Sequence, residues 1–580
     1  MPKQHYAMFK NNVTRKQLHI QFYLSVILFG AGSLFIYTGC MKPGTDAKFE
    51  YFSYTGNDPI YEQYPLEMDE YYNPIISGFY PDPSIVRVED DYYLVHSSFS
   101  YFPGIPVFHS KDLVNWTQIG NVLDRPTQMP VDSLGISRGV FAPTIEYNDG
   151  TFYVLNTLVD AGGNFMVTAK DPAGLWSEPI WLDRVGGIDP SIFFDDDGKV
   201  YILNNDAPEG GPLYEGHRAV WIREYDVAAN KSISAPKVII NGGIDLSARP
   251  IWIEGPHLMK INGEYFLLAA EGGTGPNHSQ VVLKGNNAMG PFTPGPIGLI
   301  NPILTQRHIP VDREFPVEYT GHADIVETAN NEWWSVFLGV RPYDGRNFNT
   351  GRETFLLPVS WKDGWPVILQ GDATVPVKLP RPNLPEQRSP EIRTNGNFEY
   401  TYNFNNELGP QWLFIRTPRE NWHSISGGYL NITPRSAHIS SLGQPSFVGH
   451  RQKHAYATVE TKLNYKPKHA GDEAGLVAFQ NREYYLFFGL RMNELGSTEL
   501  QLRKVNGNKV DLSRTITFKK NKVSLKLEAR GGEYDFYFST NNGSDWELFY
   551  KGVDGRVLST ENAGGFVGAV VGMYAFSNMP

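Results

Sequence analysis

The sequence predicts an all-β protein, a five-bladed β-propeller followed by a β-sandwich. Three observations predict it. A short motif recurs five times at intervals of roughly 50 to 70 residues. Each copy is followed by a turn and then an aromatic or β-branched run. Long helical periodicity is hard to find after residue 40. Glycine and proline are plentiful and aromatics reach 13%, as a many-stranded chain requires.

Residues 1–40 read as an export signal. Lys3, Lys10, Arg15 and Lys16 precede an apolar run from Phe22 to Tyr37, too short and too lightly flanked by charge for a membrane anchor. The single cysteine, Cys40, follows Gly39 as in a bacterial lipoprotein cleavage box, with Tyr37 where an aliphatic residue is usual. Lipidation at Cys40 and plain secretion to the periplasm both follow from this pattern. One cysteine permits no internal disulfide and no metal–thiolate cluster. Residues 41–72, rich in Tyr, Gly, Asp and Glu without a clear period, read as a tether. The net charge of −11 argues against nucleic acid or an anionic membrane as partner, and a neutral glycan suits such a surface.

Residues 73–375 hold the repeats. Asp82-Pro83-Ser84-Ile85 and Asp189-Pro190-Ser191-Ile192 are identical; Ala142-Pro143-Thr144-Ile145, Gly255-Pro256-His257-Leu258 and His322-Ala323-Asp324-Ile325 are looser copies. Radial repetition of strand–turn–strand units describes a propeller, whose innermost strands face one another across a channel. Counting back three residues from each Ile or Leu aligns Asp82, Ala142, Asp189, Gly255 and His322, with Glu254 one step outside the register. Asp-Pro is ordinary turn chemistry. Yet Ala142 and Gly255 show that the repeat does without an acid, so acidity at chosen blades points to function. Carboxylates gathered at one channel mouth push their pKa values apart, which is the condition for acid–base catalysis. Asp195-Asp196-Asp197-Gly198 lacks the later Glu of a calcium loop and reads as a solvated turn. Gly272-Gly273-Thr274-Gly275 opens no helix and reads as a rim loop.

The run Asn73-Pro74-Ile75-Ile76-Ser77-Gly78-Phe79-Tyr80-Pro81-Asp82, the second Asp189-Pro190-Ser191-Ile192, Glu254-Gly255-Pro256-His257, Gly321-His322-Ala323-Asp324 and Gly351-Arg352-Glu353-Thr354 together resemble glycoside hydrolase family 43. The resemblance implies a five-bladed propeller that hydrolyses arabinofuranosides, xylosides or related glycans with inversion. It implies Asp82 as general base, Glu254 as general acid, and Asp189 as the carboxylate that orients the acid and raises its pKa. Arg352 and His322 would contact sugar, with Phe99 as an aromatic wall. Phe141 stands where many relatives carry Trp. No cofactor is required; a structural calcium ion in the channel, reached from His322 through water, is compatible with the resemblance.

Residues 376–395 carry five prolines between Pro376 and Pro390, marking a stiff extended connection. Residues 396–580 alternate strands and turns, as a β-sandwich does. The resemblance implies a concanavalin-like domain there, one loop of which closes the pocket in some relatives. The expected activity is exo-acting release of terminal α-L-arabinofuranosyl residues from plant cell-wall glycans. β-Xylosidase is the near rival, and a non-catalytic glycan-binding propeller is the rival of another class. A fructan-type propeller enzyme is disfavoured because its Asn-Asp-Pro-Asn-Gly signature is absent.

Overall fold

A computed structural model describes residues 46–579. The export segment and Cys40 lie outside the described residues. What is described is all-β, with only short helical turns.

Five antiparallel sheets of four or five strands follow one another along the first part of the chain. Their first long strands are Ser84–Val88, Thr144–Asn148, Ile188–Phe194, Glu254–Ile261 and Glu318–Glu327. Each packs beside the first strand of the next sheet, and the fifth returns to the first. Tight hairpins link first and second strands as expected. At Asn262-Gly263 both residues are left-handed, with φ of 52° and 84°, the conformation of a two-residue hairpin turn that matches strand twist. Asp195 to Gly198 is likewise a turn, closed by a Gly198 N–H bond to the Asp195 carbonyl at 3.1 Å and pinned by Lys260.

The C-terminal part stacks a six-stranded sheet, from Ser446–Arg451 through Lys509–Thr517, against an eight-stranded one. The second sheet brings a correction. Residues 41–72 read as a tether, but Ala47–Gly56 is an interior strand of this sandwich, paired with Tyr456–Asn464 on one side and with Tyr429–Ile432 and Glu399–Tyr402 on the other. Phe49, Phe52 and Tyr54 are all buried. A β-bulge between Phe49 and Phe52 puts two inward residues three apart. That extra residue erased the period-2 signature. Further on, Asp58 is buried against Arg341 at 2.9 Å. Glu70–Tyr72 pairs with Lys378–Pro380, so the Pro-rich connection lies along the body of the protein, with Arg381 donating to Asp112 at 2.7 Å.

Candidate active site

Four of the five aligned repeat positions share one backbone state. Asp82, Asp189, Gly255 and His322 have φ of 56°, 53°, 56° and 48°, in the left-handed region that Gly tolerates freely and Asp and His more readily than most residues. In the third, fourth and fifth sheets the ladder is irregular at this point. The repeated turn is therefore a genuine backbone requirement, and it re-aims the side chain that occupies it. Asp, Asp, Gly and His all satisfy the dihedral, so the choice among them belongs to the pit they face.

All seven site residues expected from sequence line one cavity of about 300 Å³: Asp82, Asp189, Glu254, His322, Arg352, Phe99 and Phe141. The size is at the small end for an organic ligand. Asp82 accepts from Ser97 Oγ at 2.5 Å and from Arg352 Nη1 at 2.9 Å, with His322 Nδ1 at 3.9 Å. Burial pushes its pKa up, but Arg352, His322 and the Ser97 hydroxyl outweigh burial and hold it below the usual carboxylate range. Asp189 accepts the Gly255 N–H at 3.2 Å; burial and the charge of Asp82 push it up to about 7. Glu254 begins its strand with a buried carboxyl. Burial first, then Asp189 and Asp82, drive its pKa well above the usual glutamate value. His322 is held down to about 4, chiefly by burial, and is therefore neutral at pH 7. Its ring lies against Gly255, where an added Cβ would sit 2.7 Å from Nε2.

The apolar wall is aromatic. Phe99 is fixed in a left-handed conformation, φ 53°, by paired backbone hydrogen bonds with Val140 at 2.8 and 3.0 Å. Its ring meets Phe141 edge-on at 5.6 Å. Phe99 also stacks on Phe566, 5.9 Å away and tilted by 18°. Phe566 is the sandwich residue that reading the chain alone left unnamed. Its N–H donates to Ser137 Oγ at 2.9 Å, its carbonyl accepts from Arg352 Nη2 at 3.4 Å, and the guanidinium lies 5.4 Å from its ring. A single aromatic in Gly564-Gly565-Phe566-Val567-Gly568 was the available signal.

Sequence reasoning also missed Trp252 and Arg138. Trp252 is part-exposed at the mouth with φ 52°, an outlier for so bulky a residue, and is covered by the Arg218 guanidinium at 5.3 Å. Arg138 lies 5.6 Å from the Phe141 ring and pairs with Asp160. Gly273 and Thr274 line the rim, as the glycine-rich loop suggested. Among the described residues no group of three or more His, Cys, Asp or Glu side chains is placed to hold a metal ion.

A sugar-sized pit in an all-β scaffold, aromatic on one wall and lined by three carboxyls of which Asp82 is pushed down and Glu254 up, has the parts a hydrolase of glycosidic bonds needs. Residues 71–366 match the glycosyl hydrolases family 43, and residues 401–580 match the beta-xylosidase C-terminal concanavalin A-like domain. The chain belongs to glycoside hydrolase family 43. It is 40% identical over 514 residues to a xylosidase/arabinosidase of Butyrivibrio fibrisolvens, covering 87% of this chain and 96% of the relative. It is 37% identical over 532 residues to a non-reducing end alpha-L-arabinofuranosidase of Bacteroides ovatus, covering 88% and 92%. The crystal structure of a family member retrieved from the capybara gut metagenome superposes with a TM-score of 0.84 at 43% identity, covering 92% of this chain and all of that one.

Proposed function

We propose that this chain is an exo-acting, inverting α-L-arabinofuranosidase of plant cell-wall glycans, built on a five-bladed propeller. One observation carries the reading. Within a single cavity Arg352 and Ser97 contact Asp82 and favour its ionised form, while burial beside two other carboxylates favours the protonated form of Glu254. Asp82 then takes the proton of a water as that water attacks the anomeric carbon. Glu254 gives its proton to the departing glycosidic oxygen, and the anomeric configuration inverts. Asp189, beside both groups, favours the Glu254 proton in whatever fraction it is itself charged, and restrains the acid's strand through the Gly255 N–H. The small pit supports removal of one terminal sugar at a time. The ring of first strands that closes on itself supports the propeller.

Arabinose is preferred over xylose because the Bacteroides ovatus relative carries that activity in its name over nearly the whole chain. Comparing p-nitrophenol release from the α-L-arabinofuranoside and the β-xyloside tests the choice. Faster turnover of the xyloside overturns it. Proton NMR of the first-formed product anomer tests inversion, and a retained configuration removes Asp82 from the role of base.

A further inference from the structure

Five consecutive polar or charged residues, His450-Arg451-Gln452-Lys453-His454, are all buried. They leave the sandwich strand Ser446–Arg451 and run against the segment 78–80, just upstream of Asp82. Four of the five are satisfied locally or by stacking. His450 meets Tyr400 OH at 2.6 Å, and His454 meets Tyr54 OH at 3.0 Å and the Gly396 carbonyl at 2.9 Å. Gln452 accepts from Tyr534 OH at 2.7 Å. Lys453 lies 5.7 Å from the Tyr80 ring and 5.6 Å from Phe398, with burial drawing its pKa down to about 7.

Arg451 reaches further. Its Nε donates to the Phe79 carbonyl at 2.8 Å, and its guanidinium lies 4.5 Å from the Phe79 ring and 4.1 Å from the Tyr80 ring. Its remaining polar contact is Tyr80 OH at 3.4 Å. No carboxylate pairs with it among the described residues. An unpaired buried cation is costly, and an apolar side chain would fill the same interface without that cost. What an apolar side chain lacks is a planar fork that stacks on rings and fixes a carbonyl at once.

The gripped segment is the one that presents Asp82. The Gly78 N–H donates to Glu353 at 2.9 Å, and the Tyr80 N–H donates to the Arg352 carbonyl at 3.0 Å. Thr354 Oγ1 donates to the Tyr80 carbonyl at 2.7 Å, and the Ser97 N–H to the Pro81 carbonyl at 3.2 Å. The Phe79 carbonyl is held from the other domain, by Arg451. Asp82 itself is in the left-handed region, so its carboxylate direction depends on the backbone that leads into it.

We infer that Arg451 is a positioning residue for the Asp82 carboxylate, acting from the C-terminal sandwich through Phe79 and Tyr80. The inference rests on the reading of Asp82 as the base. Arg352, His322, Ser97 and His278 face Asp82 alongside Asp189 and Glu254, so a displaced Asp82 changes its company and its titration. Arg451 lies beyond that group, against Tyr80, Tyr101 and His96.

The test uses the full chain with Arg451→Met, Arg451→Lys and Asp82→Asn. Arg451→Met is expected to lower kcat about tenfold to a hundredfold with KM within about twofold, the cost of a small misplacement of a reacting group. The acidic limb of its pH profile is expected to move to higher pH as Asp82 leaves Arg352, and Arg451→Lys should recover part of both effects. A folded Arg451→Met enzyme with the wild-type kcat and acidic limb overturns the inference, as does a loss of kcat with an unmoved limb and no recovery by lysine. If Arg451→Met does not yield folded protein, Arg451→Gln replaces it with the same opposing outcomes. Activity retained by Asp82→Asn removes the base itself, and with it the ground for Arg451. An inactive Asp82→Asn beside a wild-type-like Arg451→Met removes Arg451 alone.

Discussion

Replacing Glu254 with Gln keeps the shape of the side chain and removes the proton it can give. Burial and two neighbouring carboxylates raise the Glu254 pKa well above the usual value, which favours the protonated form that a general acid needs. General acid catalysis is worth about 10²–10⁴-fold when the leaving oxygen needs a proton. A sugar leaving group needs it; p-nitrophenolate, a stable anion, scarcely does. Glu254→Gln is therefore expected to lose about 10²–10⁴-fold in kcat on an arabinose-bearing oligosaccharide and only about tenfold or less on the p-nitrophenyl substrate. The alkaline limb of the pH profile, which reports loss of the Glu254 proton, should vanish on both substrates. Stability should change in the opposite sense from activity. An acid whose folded pKa is raised contributes stability that is present at low pH and lost as pH rises from its unfolded value through its folded one. Gln cannot ionise, so the melting temperature of the variant should gain on the wild type as pH rises through that window. Equal losses on the two leaving groups, or an alkaline limb that survives, would refute the assignment of Glu254 as the acid.

Three further outcomes are expected. Phe566→Ala removes a ring stacked on Phe99 and set against Arg352; the two contacts together are worth about 1–2 kcal/mol of folded stability, read as a lowered melting temperature, and losing this wall of the pit should also lower kcat/KM. Gly255→Ala drives a Cβ against the His322 ring and places an alanine at φ 56°; stability should drop by about 1–2 kcal/mol in denaturant unfolding and kcat by about 10- to 100-fold. Phe49→Ala empties a fully buried site in the N-terminal strand of the sandwich; about 3–5 kcal/mol should be lost in the same denaturant assay, far more than a tether residue would cost.

The parts of the site legible in the chain were those where the chemistry is local. A left-handed backbone at a fixed place in a recurring strand motif admits few residue types, so Asp82, Asp189, Gly255 and His322 stand out at matching places in four of the five repeats, with Glu254 beside one of them. The aromatic wall was half legible. Phe99 and Phe141 lie near the first repeats, whereas Phe566 arrives from a loop more than 400 residues later, held by a backbone bond to Ser137 that nothing in local sequence announces. Trp252 was hidden for a different reason. An exposed aromatic ahead of a strand is unremarkable until its dihedral and the Arg218 cover are seen. The strand Ala47–Gly56 escaped because one extra residue shifted its inward side chains out of alternation.

That strand makes the sandwich discontinuous in the chain. Its first strand leaves the ribosome hundreds of residues before the partners on either side of it, so the sheet closes only after nearly all of the polypeptide has been made. Cutting at the Pro-rich connection therefore cannot release two self-sufficient halves. The C-terminal fragment would be left with a slot where Ala47–Gly56 belongs, bounded by two unpaired strand edges of the kind that recruit other chains. The N-terminal fragment would carry a homeless strand bearing Phe49, Phe52 and Tyr54. The two halves would meet again only by complementation.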